Sequence, residues 1–305
     1  APECPLCGRE VHRAGETHPD FGDTQILRCD TCDFWFGHPA PGAEELARYY
    51  ETVFGARRQW SKDPAFLAIM ERRATAQIAF VGDHLAGVRT ALDIGCGVGA
   101  LVAELTRAGI QAVGFDSDET VVQIGRTRWG ANLQRGHVDA NTAGPPVDLL
   151  CLSHVVEHFA DPVGELGRLA ARVRPGGFVF IEVPRCTPWM FAQGVDSESH
   201  LGFFSHRSLH ILAQRTGLDP LRLASCGPPI ETFYWNRVAR AELRSGARRI
   251  VAGLRTRWSR GLARLDSRRW PIPTEFDGYY DAYDAGGVEQ GIWLRALLRR
   301  PPAPA

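Results

Sequence analysis

Four cysteines near the amino terminus form two closely spaced pairs, a pattern that binds metals. Cys4 and Cys7 make one Cys-x-x-Cys pair, Cys29 and Cys32 make the other, and 21 residues separate the two pairs. Each pair aims two thiolates at one point, so two pairs complete the tetrahedron that Zn²⁺ prefers. Four protein ligands leave no position for water, which predicts a structural zinc ribbon. Iron in the same ligands, redox pairs or unrelated reduced thiols are the alternatives.

A glycine-rich turn with an acidic residue in front of it occurs later in the chain. Gly95, Gly97 and Gly99 occupy alternate positions, Asp93 precedes the first of them by two positions, and Asp116 follows downstream. Such a turn brings the backbone close to a nucleotide cofactor, and an acid about 20 residues further on can bind ribose hydroxyls. The third glycine comes one position earlier than in the dinucleotide fingerprint G-x-G-x-x-G. The spacing favours a cofactor without a pyrophosphate, with Asp93 facing a cationic amino acid moiety.

The residues around this turn must be positioned by alternating strands and helices. Apolar spacing predicts helices at 43–50, 64–85, 100–108, 162–173 and 205–215, and strands at 91–94, 111–115, 147–152, 178–183, 221–225 and 292–298. Two of these strands, 147–152 and 178–183, are almost wholly apolar, as expected where helices cover both faces of a parallel sheet. The alternation predicts a doubly wound α/β fold.

The composition excludes several classes of protein. The chain has 305 residues, of which 44% are hydrophobic and 23% charged, a balance typical of a globular protein. The formal net charge is zero, so no overall field attracts nucleic acid. No apolar run approaches the roughly 20 residues of a transmembrane helix. The first residues lack the layout of a signal peptide, and we therefore expect a cytoplasmic protein.

Four motifs resemble those of class I S-adenosylmethionine-dependent methyltransferases. They are the segments 91–99 (ALDIGCGVG), 114–116 (GFD), 148–158 (DLLCLSHVVEH) and 174–184 (RPGGFVFIEVP). The resemblance covers roughly residues 87–227 and implies a mostly parallel, Rossmann-like sheet of seven strands. The segment 27–41 and the EELARYY helix after it resemble the zinc ribbon of a subgroup that acts on small molecules, often sugars or antibiotic precursors.

The resemblance implies roles in binding S-adenosylmethionine for the residues of the glycine turn and the strand after it. Gly95, Gly97 and Gly99 would shape the turn under the methionine moiety. Asp93 would support that turn or bind the amino group indirectly, and Asp116 would hold both ribose hydroxyls.

Three further residues complete the cofactor site that the resemblance implies. Asp139 would reach the adenine amino group, with a plain turn aspartate as the alternative. Ser153 and His154 follow the strand at 147–152 and would lie beside the sulfonium.

The resemblance also places a candidate general base in the loop after the 178–183 strand. The segment 200–205 (HLGFFS) is similar to one in deoxysugar C-3 methyltransferases that carries a catalytic histidine, which implies that His200 removes the acceptor's proton. Ser199 stands where that family typically has Glu. His158 and Glu198 are the next candidates, followed by Asp196. We expect turnover to rise with pH through the ordinary histidine pKa, about 6.5.

These observations divide the chain into five parts. We predict a zinc ribbon at 1–42, a helical cap or linker at 43–86, the cofactor-binding core at 87–230, a helical insertion at 231–290, and a last strand with a tail at 291–305. The insertion carries 11 arginines and two acids between Arg237 and Trp270. A solvated helix face, a lid over an anionic acceptor and a peripheral membrane contact are its three interpretations.

Two functions compete on this sequence. The leading hypothesis is methylation of an oxygen or carbon of a small molecule, which would be a sugar or secondary-metabolite precursor, either anionic or linked to a carrier or nucleotide. The alternative is an RNA methyltransferase that uses the zinc ribbon and the Arg-rich helix. Residues 4–39 hold three arginines but six acids, which argues against a nucleic-acid partner. The sequence leaves the oligomeric state open.

Overall fold

The computed structural model describes residues 1–11, 17–18, 20–50, 52, 61–138, 144–185, 199–229 and 291–303. Within these residues the strands form one sheet of seven strands and one of three. No helix among them is long and apolar enough to cross a membrane.

Strands and helices alternate through the central part of the chain. The strands are β1 (Gln25–Cys29), β2 (Phe34–His38), β3 (Thr90–Ile94), β4 (Gln111–Asp116), β5 (Leu133–Arg135), β6 (Val147–Ser153), β7 (Val173–Pro184), β8 (Gly202–Phe203), β9 (Asp219–Pro229) and β10 (Gly291–Arg299). The helices are α1 (Ala43–Tyr49), α2 (Pro64–Val81), α3 (Ala100–Arg107), α4 (Glu119–Trp129), α5 (Pro162–Ala170) and α6 (His206–Arg215), with short 3-10 turns at Gly82–Leu85 and Val156–His158.

The large sheet has the strand order β5-β4-β3-β6-β7-β10-β9. Its first five strands run parallel, and β10 is antiparallel to both of its neighbours. The parallel strands are apolar on both faces because helices α2, α3 and α4 contribute to the core on one side and α5 and α6 on the other. The predicted doubly wound, mostly parallel sheet of seven strands is therefore confirmed.

The structure differs from the predicted elements in several places: strands β1, β2 and β8 were not predicted, and helix α5 ends at Ala170, three residues before its predicted end. Strand β7 begins at Val173, five residues before the predicted start at Phe178, and continues through Pro175 and Gly176. This early start is stabilised by backbone hydrogen bonds of Gly176 and Gly177 with Arg300. Helix α4 and strand β5 were not located from the sequence, and the predicted insertion at 231–290 lies outside the described residues.

The small sheet joins the cysteine-bearing segment to the core. Strands β1 and β2 form an antiparallel hairpin, and β8, which belongs to the core part of the sequence, pairs with β2 through Trp35 and Phe203. Phe34 and Phe36 of β2 lie in the same buried cluster as residues of the large sheet. The cysteine-bearing segment is thus packed against the edge of the fold that also carries β8.

Candidate active site and cysteine cluster

The glycine turn lies directly after β3, at the carboxyl edge of the parallel strands. Gly95, Gly97 and Gly99 have φ angles of 67°, 55° and 73°, a region that residues with a Cβ rarely adopt. A Cβ at Gly95 would lie 2.7 Å from Val155 Cγ2, and one at Gly99 would lie 2.5 Å from Leu133 Cδ2. A Cβ at Gly97 would meet nothing within 4 Å. The turn therefore combines two tightly packed glycines with one that a bound molecule can approach.

Asp93 is a buried carboxyl group beside this turn. Its side chain is 2% exposed, and its Oδ1 atom has no hydrogen-bond partner among the described residues. Burial raises the pKa of Asp93 to about 8, against the opposing effect of Arg73, and Asp116 adds to the rise. A buried carboxyl of this kind is costly to ionise unless a cation comes close to it. The position suits a cationic group of a ligand.

Asp116 ends β4 on the other side of the turn. Its Oδ2 accepts a hydrogen bond from the Gly97 backbone N–H at 2.9 Å, and its Oδ1 accepts one from the Asp118 N–H at 3.0 Å. These bonds fix the turn and orient the carboxylate.

A cavity of about 260 Å³ opens next to the turn. It is lined by Ser61, Phe66, Met70, Arg73, Ala74, Gln77, Asp93, Gly95, Cys96, Gly97, Val98, Ala100, Leu101, Val121, Ser153, His154, His158 and His200. The lining thus contains seven of the residues predicted from the sequence, whereas Gly99 and Asp116 lie beside the cavity and support its wall. We call Asp93, Gly95 and Gly97 the glycine-turn side, and Glu157, His158 and His200 the histidine side.

A buried ion-pair network contributes Arg73 to the lining of the cavity. Glu182 of β7 is fully buried and is contacted by Arg73 of α2 and Arg295 of β10. Arg73 Nε donates to Glu182 Oε1 at 2.7 Å. Burial alone would raise the pKa of Glu182, but the charges of Arg73 and then Arg295 hold it well below its usual range. Glu182 is therefore ionised, and its two arginines are held by its charge.

The network also holds Ser153, the last residue of β6. Arg73 Nη2 donates to Ser153 Oγ at 2.7 Å, and Gln77 Nε2 donates to the same atom at 2.9 Å. Sequence reasoning missed Arg73, Gln77, Glu182 and Arg295. A signal was available for two of them, because Glu182 and Arg295 are charged residues inside otherwise apolar strands.

His154 joins the network to the histidine side. It adopts a φ of 57°, which is uncommon for a residue with a side chain and occurs often at functional sites. Its Nδ1 lies 3.2 Å from Glu157 Oε1 and its Nε2 lies 3.5 Å from Glu182 Oε1. Burial and Arg73 lower the pKa of His154, but its contacts with Glu157 and Glu182 outweigh them and raise it.

Glu157, His158 and His200 meet at the far end of the cavity. Glu157 is almost fully buried, and the ring centroids of His158 and His200 are 5.0 Å apart. Burial would raise the pKa of Glu157, but its close contact with His154 and the charges of the nearby histidines lower it. One donor atom from each of the three residues lies within 4.8 Å of the others, a grouping that could hold a proton or a divalent cation.

The pKa of His200 differs from the ordinary histidine value on which the sequence-based expectation rested. Burial lowers the pKa of His200 to about 3, and His158 adds to this effect. The imidazole is therefore neutral from mildly acidic to basic pH. A base with this pKa is already deprotonated at pH 6.5, so His200 in this environment does not supply the expected titration there, and the pH profile of turnover stays a prediction.

The four amino-terminal cysteines converge as the spacing predicted. Cys4 Sγ lies 3.8 Å from Cys32 Sγ, and Cys7 Sγ lies 3.7 Å from Cys29 Sγ. All four sulfurs lie within 4.8 Å of one another, and none forms a disulfide. A tetrahedral ion with bonds of about 2.3 Å to sulfur has sulfurs about 3.8 Å apart. The cluster can therefore hold a metal ion.

Three predicted residues lie outside the described residues. These are Asp139, the candidate for the adenine amino group, and the loop acids Asp196 and Glu198. Their roles stay predictions.

The central part of the chain matches a known sequence family. The family described as "Methyltransferase domain" matches residues 66–223, which is more than half of the chain. Relatives named "Ubiquinone biosynthesis O-methyltransferase" are similar to it. The one from Methylobacterium sp. is 26% identical over 196 residues, 56% of this chain and 75% of the relative. The one from Nitrosospira multiformis is 27% identical over 148 residues, 45% of this chain.

The chain spans only part of several of these relatives. It covers 61% of the Nitrosospira multiformis protein. A third relative of the same name, from Sinorhizobium fredii, is 38% identical over 103 residues, which are 32% of this chain and 41% of the relative.

Solved structures share the fold at low sequence identity. The [4+2]-cyclase SpnF has a TM-score of 0.54 and 16% identity, with 87% of this chain and 99% of that chain covered. The 1,6-didemethyltoxoflavin-N1-methyltransferase of Burkholderia thailandensis, solved with bound 1,6-didemethyltoxoflavin and S-adenosylhomocysteine, has a TM-score of 0.51 and 15% identity, with 94% of this chain and 100% of that chain covered. Because one of these proteins is named a cyclase, the shared fold alone does not define the reaction.

Proposed function

The chain belongs to the methyltransferase domain family, and from this premise we propose that it transfers a methyl group from S-adenosylmethionine to an oxygen or carbon of a small molecule. The observation that carries the proposal is the cavity itself. It brings together an open glycine turn, a buried carboxyl group whose Oδ1 atom has no hydrogen-bond partner among the described residues, and a neutral imidazole beside a buried carboxylate.

The glycine-turn side fits the amino acid part of S-adenosylmethionine. This group carries an ammonium, for which Asp93 supplies a carboxyl, and a carboxylate, for which Arg73 supplies a cation at the cavity wall. Gly97 leaves room for close approach, and Asp116 would accept hydrogen bonds from ribose hydroxyls. When bound, the cofactor supplies an electrophilic methyl group on a sulfonium. The residues orient it and exclude water.

The histidine side would handle the acceptor's proton. His200 is neutral and would accept a proton from an acceptor hydroxyl or acidic carbon, but the low pKa that burial gives it makes it a weak base unless a neighbouring negative charge stabilises the imidazolium. The buried negative charge of Glu157 acts on His200 and would stabilise the imidazolium that results. His158, whose ring packs against that of His200, is the second candidate for the base, and Glu198 is the third.

The names of the relatives favour oxygen as the accepting atom. Proteins that match up to 56% of this chain are named O-methyltransferases. We propose a small organic acceptor, either a sugar or a secondary-metabolite precursor. We further propose that this acceptor is anionic or linked to a carrier.

We also propose that the cysteine cluster binds one zinc ion with a structural role. Four thiolates at the observed separations suit tetrahedral Zn²⁺ and leave no open position. Elemental analysis of the purified protein should show about one equivalent of zinc. A folded protein with no bound metal would contradict this assignment.

A methyl-transfer assay tests the function. The wild-type protein, incubated with methyl-labelled S-adenosylmethionine and separate panels of phenols, nucleotide-linked sugars and RNA, should label a small molecule. His200→Ala should lower turnover by roughly 10²–10⁴-fold, the usual contribution of a general base. His210→Ala, which changes an exposed histidine of α6, is the matched control. Labelling of RNA alone would overturn the proposed acceptor class, and near-normal turnover of His200→Ala would remove His200 as the base.

A further inference from the structure

The segment that carries His200 has an unusual backbone. Ser199 has a φ of 69° and is fully buried. A serine in this region is uncommon and persists when its surroundings hold it there. The contacts of residues 199–201 therefore decide where the His200 ring lies.

Each of these three residues is hydrogen-bonded to the amino-terminal segment. The Ser199 N–H donates to Asp20 Oδ2 at 3.0 Å, and the Leu201 carbonyl accepts from the Gly37 N–H at 2.8 Å. Between them, the His200 carbonyl lies 3.0 Å from His18 Nε2. Asp20 is itself oriented by Tyr49, whose hydroxyl donates to Oδ2 at 3.1 Å.

The hydrogen bonds of His18 define its tautomer. Its Nδ1 lies 3.1 Å from the Asp20 backbone nitrogen and 3.2 Å from that of Phe21. Both backbone groups are donors, so Nδ1 accepts and the proton lies on Nε2. His18 is buried, and this burial lowers its pKa, which keeps the ring neutral. His18 therefore donates to the His200 carbonyl from a fixed orientation.

The core holds the same segment from the opposite side. The Leu201 N–H donates to the Glu157 carbonyl at 2.8 Å, and His158 Nδ1 lies 3.3 Å from the Ser199 carbonyl. His200 is thus held between two walls, one from residues 18–37 and one from the turn after β6. The turn after β6 contacts both peptide groups that flank His200, whereas residues 18–37 add a hydrogen bond to the His200 carbonyl and hold the peptide groups on either side of that pair.

We propose that His18 and Asp20 are positioning residues for His200, so that the cysteine-bearing segment completes the histidine side of the cavity. The inference rests on the proposed function in taking His200 as the group that meets the acceptor. It adds that residues about 180 positions away in sequence set the geometry of that group. Neither His18 nor Asp20 lines the cavity, so they act through the backbone of residues 199 and 200.

The first test uses His18→Ala, with His210→Ala as the matched control. Turnover should fall up to about 100-fold, the loss that a displacement of about 1 Å can cause. Binding of S-adenosylhomocysteine and the metal content of the cysteine cluster should stay at wild-type values. His18→Gln, whose amide nitrogen can replace Nε2 as a donor, should recover part of the activity. Turnover within twofold of wild type for His18→Ala would overturn the proposal, as would a loss of metal or cofactor binding, which would make His18 a general folding residue.

A double variant separates positioning from other roles. If His18 acts through His200, His18→Ala should have little further effect on turnover in the His200→Ala background. Equal fold-losses in both backgrounds would overturn the proposal. Tyr49→Phe removes the hydrogen bond to Asp20 but leaves every direct contact with residues 199–201 in place. It should therefore lower turnover less than His18→Ala does. It also serves as the second variant if His18→Ala fails to fold.

A spectroscopic readout keeps this test separate from that of the proposed function. The imidazole resonance of His200 can be identified by its loss in His200→Ala, and it should shift in His18→Ala but not in His210→Ala. Absence of wild-type methyl transfer would refute the proposed function while this shift could still support the positioning. An unchanged His200 resonance in His18→Ala would refute the positioning even if methyl transfer is observed.

Discussion

The two sides of the cavity are assembled in different ways. The glycine-turn side comes from one continuous stretch, in which β3, the turn and β4 place Asp93, Gly97 and Asp116 together. The histidine side combines β6, the turn after it and the segment before β8, and it is held by residues 18–37 and by the network around Glu182. The geometry of the first side is set mainly by residues close together in sequence, whereas that of the second depends on packing between residues far apart in sequence.

The buried carboxyl of the glycine-turn side predicts that a neutral residue at position 93 stabilises the ligand-free protein. Asn resembles the protonated carboxyl, so Asp93→Asn should stabilise the ligand-free protein at pH 8. Because the folded-state pKa is raised from 3.8 to about 8, the stability of the wild type falls as pH rises through this window. At about 1.4 kcal/mol per pKa unit, the upper bound is on the order of 5 kcal/mol.

Thermal unfolding at several pH values measures this effect. The melting temperature of Asp93→Asn should exceed that of the wild type at pH 8, and the gap should close toward pH 4. Asp83→Asn, an exposed change in the 3-10 turn after α2, should show no such gap. A gap that is independent of pH would show that Asp93 is not the titrating group.

The network around Glu182 predicts a large loss of stability when its central negative charge is removed. Glu182→Ala leaves Arg73 and Arg295 without their shared carboxylate and should destabilise the protein by about 3–5 kcal/mol. The control Glu104→Ala removes a partner of Arg107 on the surface of α3, which should cost about 0–1 kcal/mol. Chemical denaturation compares the two variants. Similar losses would mean that the network is no more than another solvated ion pair.

The same difference explains how much could be predicted from the sequence. The glycine turn, Asp116 and the cysteine pairs were identified because the spacing of these residues along the chain is enough to indicate how they lie together in space. Arg73 was not, since nothing near it in sequence marks the cavity that it lines. His18 was missed for the same reason, as its partner is the carbonyl of His200. The protonation of His200 could not be predicted either, because burial by distant elements lowers its pKa.

A similar limit applies to the fold. Strands β6 and β7 were identified from their apolar runs, which reflect burial on both faces. The early start of β7 depends on hydrogen bonds with Arg300, which lies far along the chain. No local sequence pattern therefore indicates where β7 begins. Strand β5 has three residues, which are too few to show the alternation of polar and apolar residues that marks a strand.

Calorimetric titration with S-adenosylhomocysteine tests the central claim, that the glycine-turn side together with Asp116 binds the cofactor without the histidine side, most directly. The wild type should bind, and Asp116→Ala should bind more weakly by about 1.5–3 kcal/mol, as expected for the loss of hydrogen bonds at a charged group. His200→Ala should bind as the wild type does, because its side of the cavity meets the acceptor. No binding by the wild type, or an equal loss in Asp116→Ala and His200→Ala, would contradict the account.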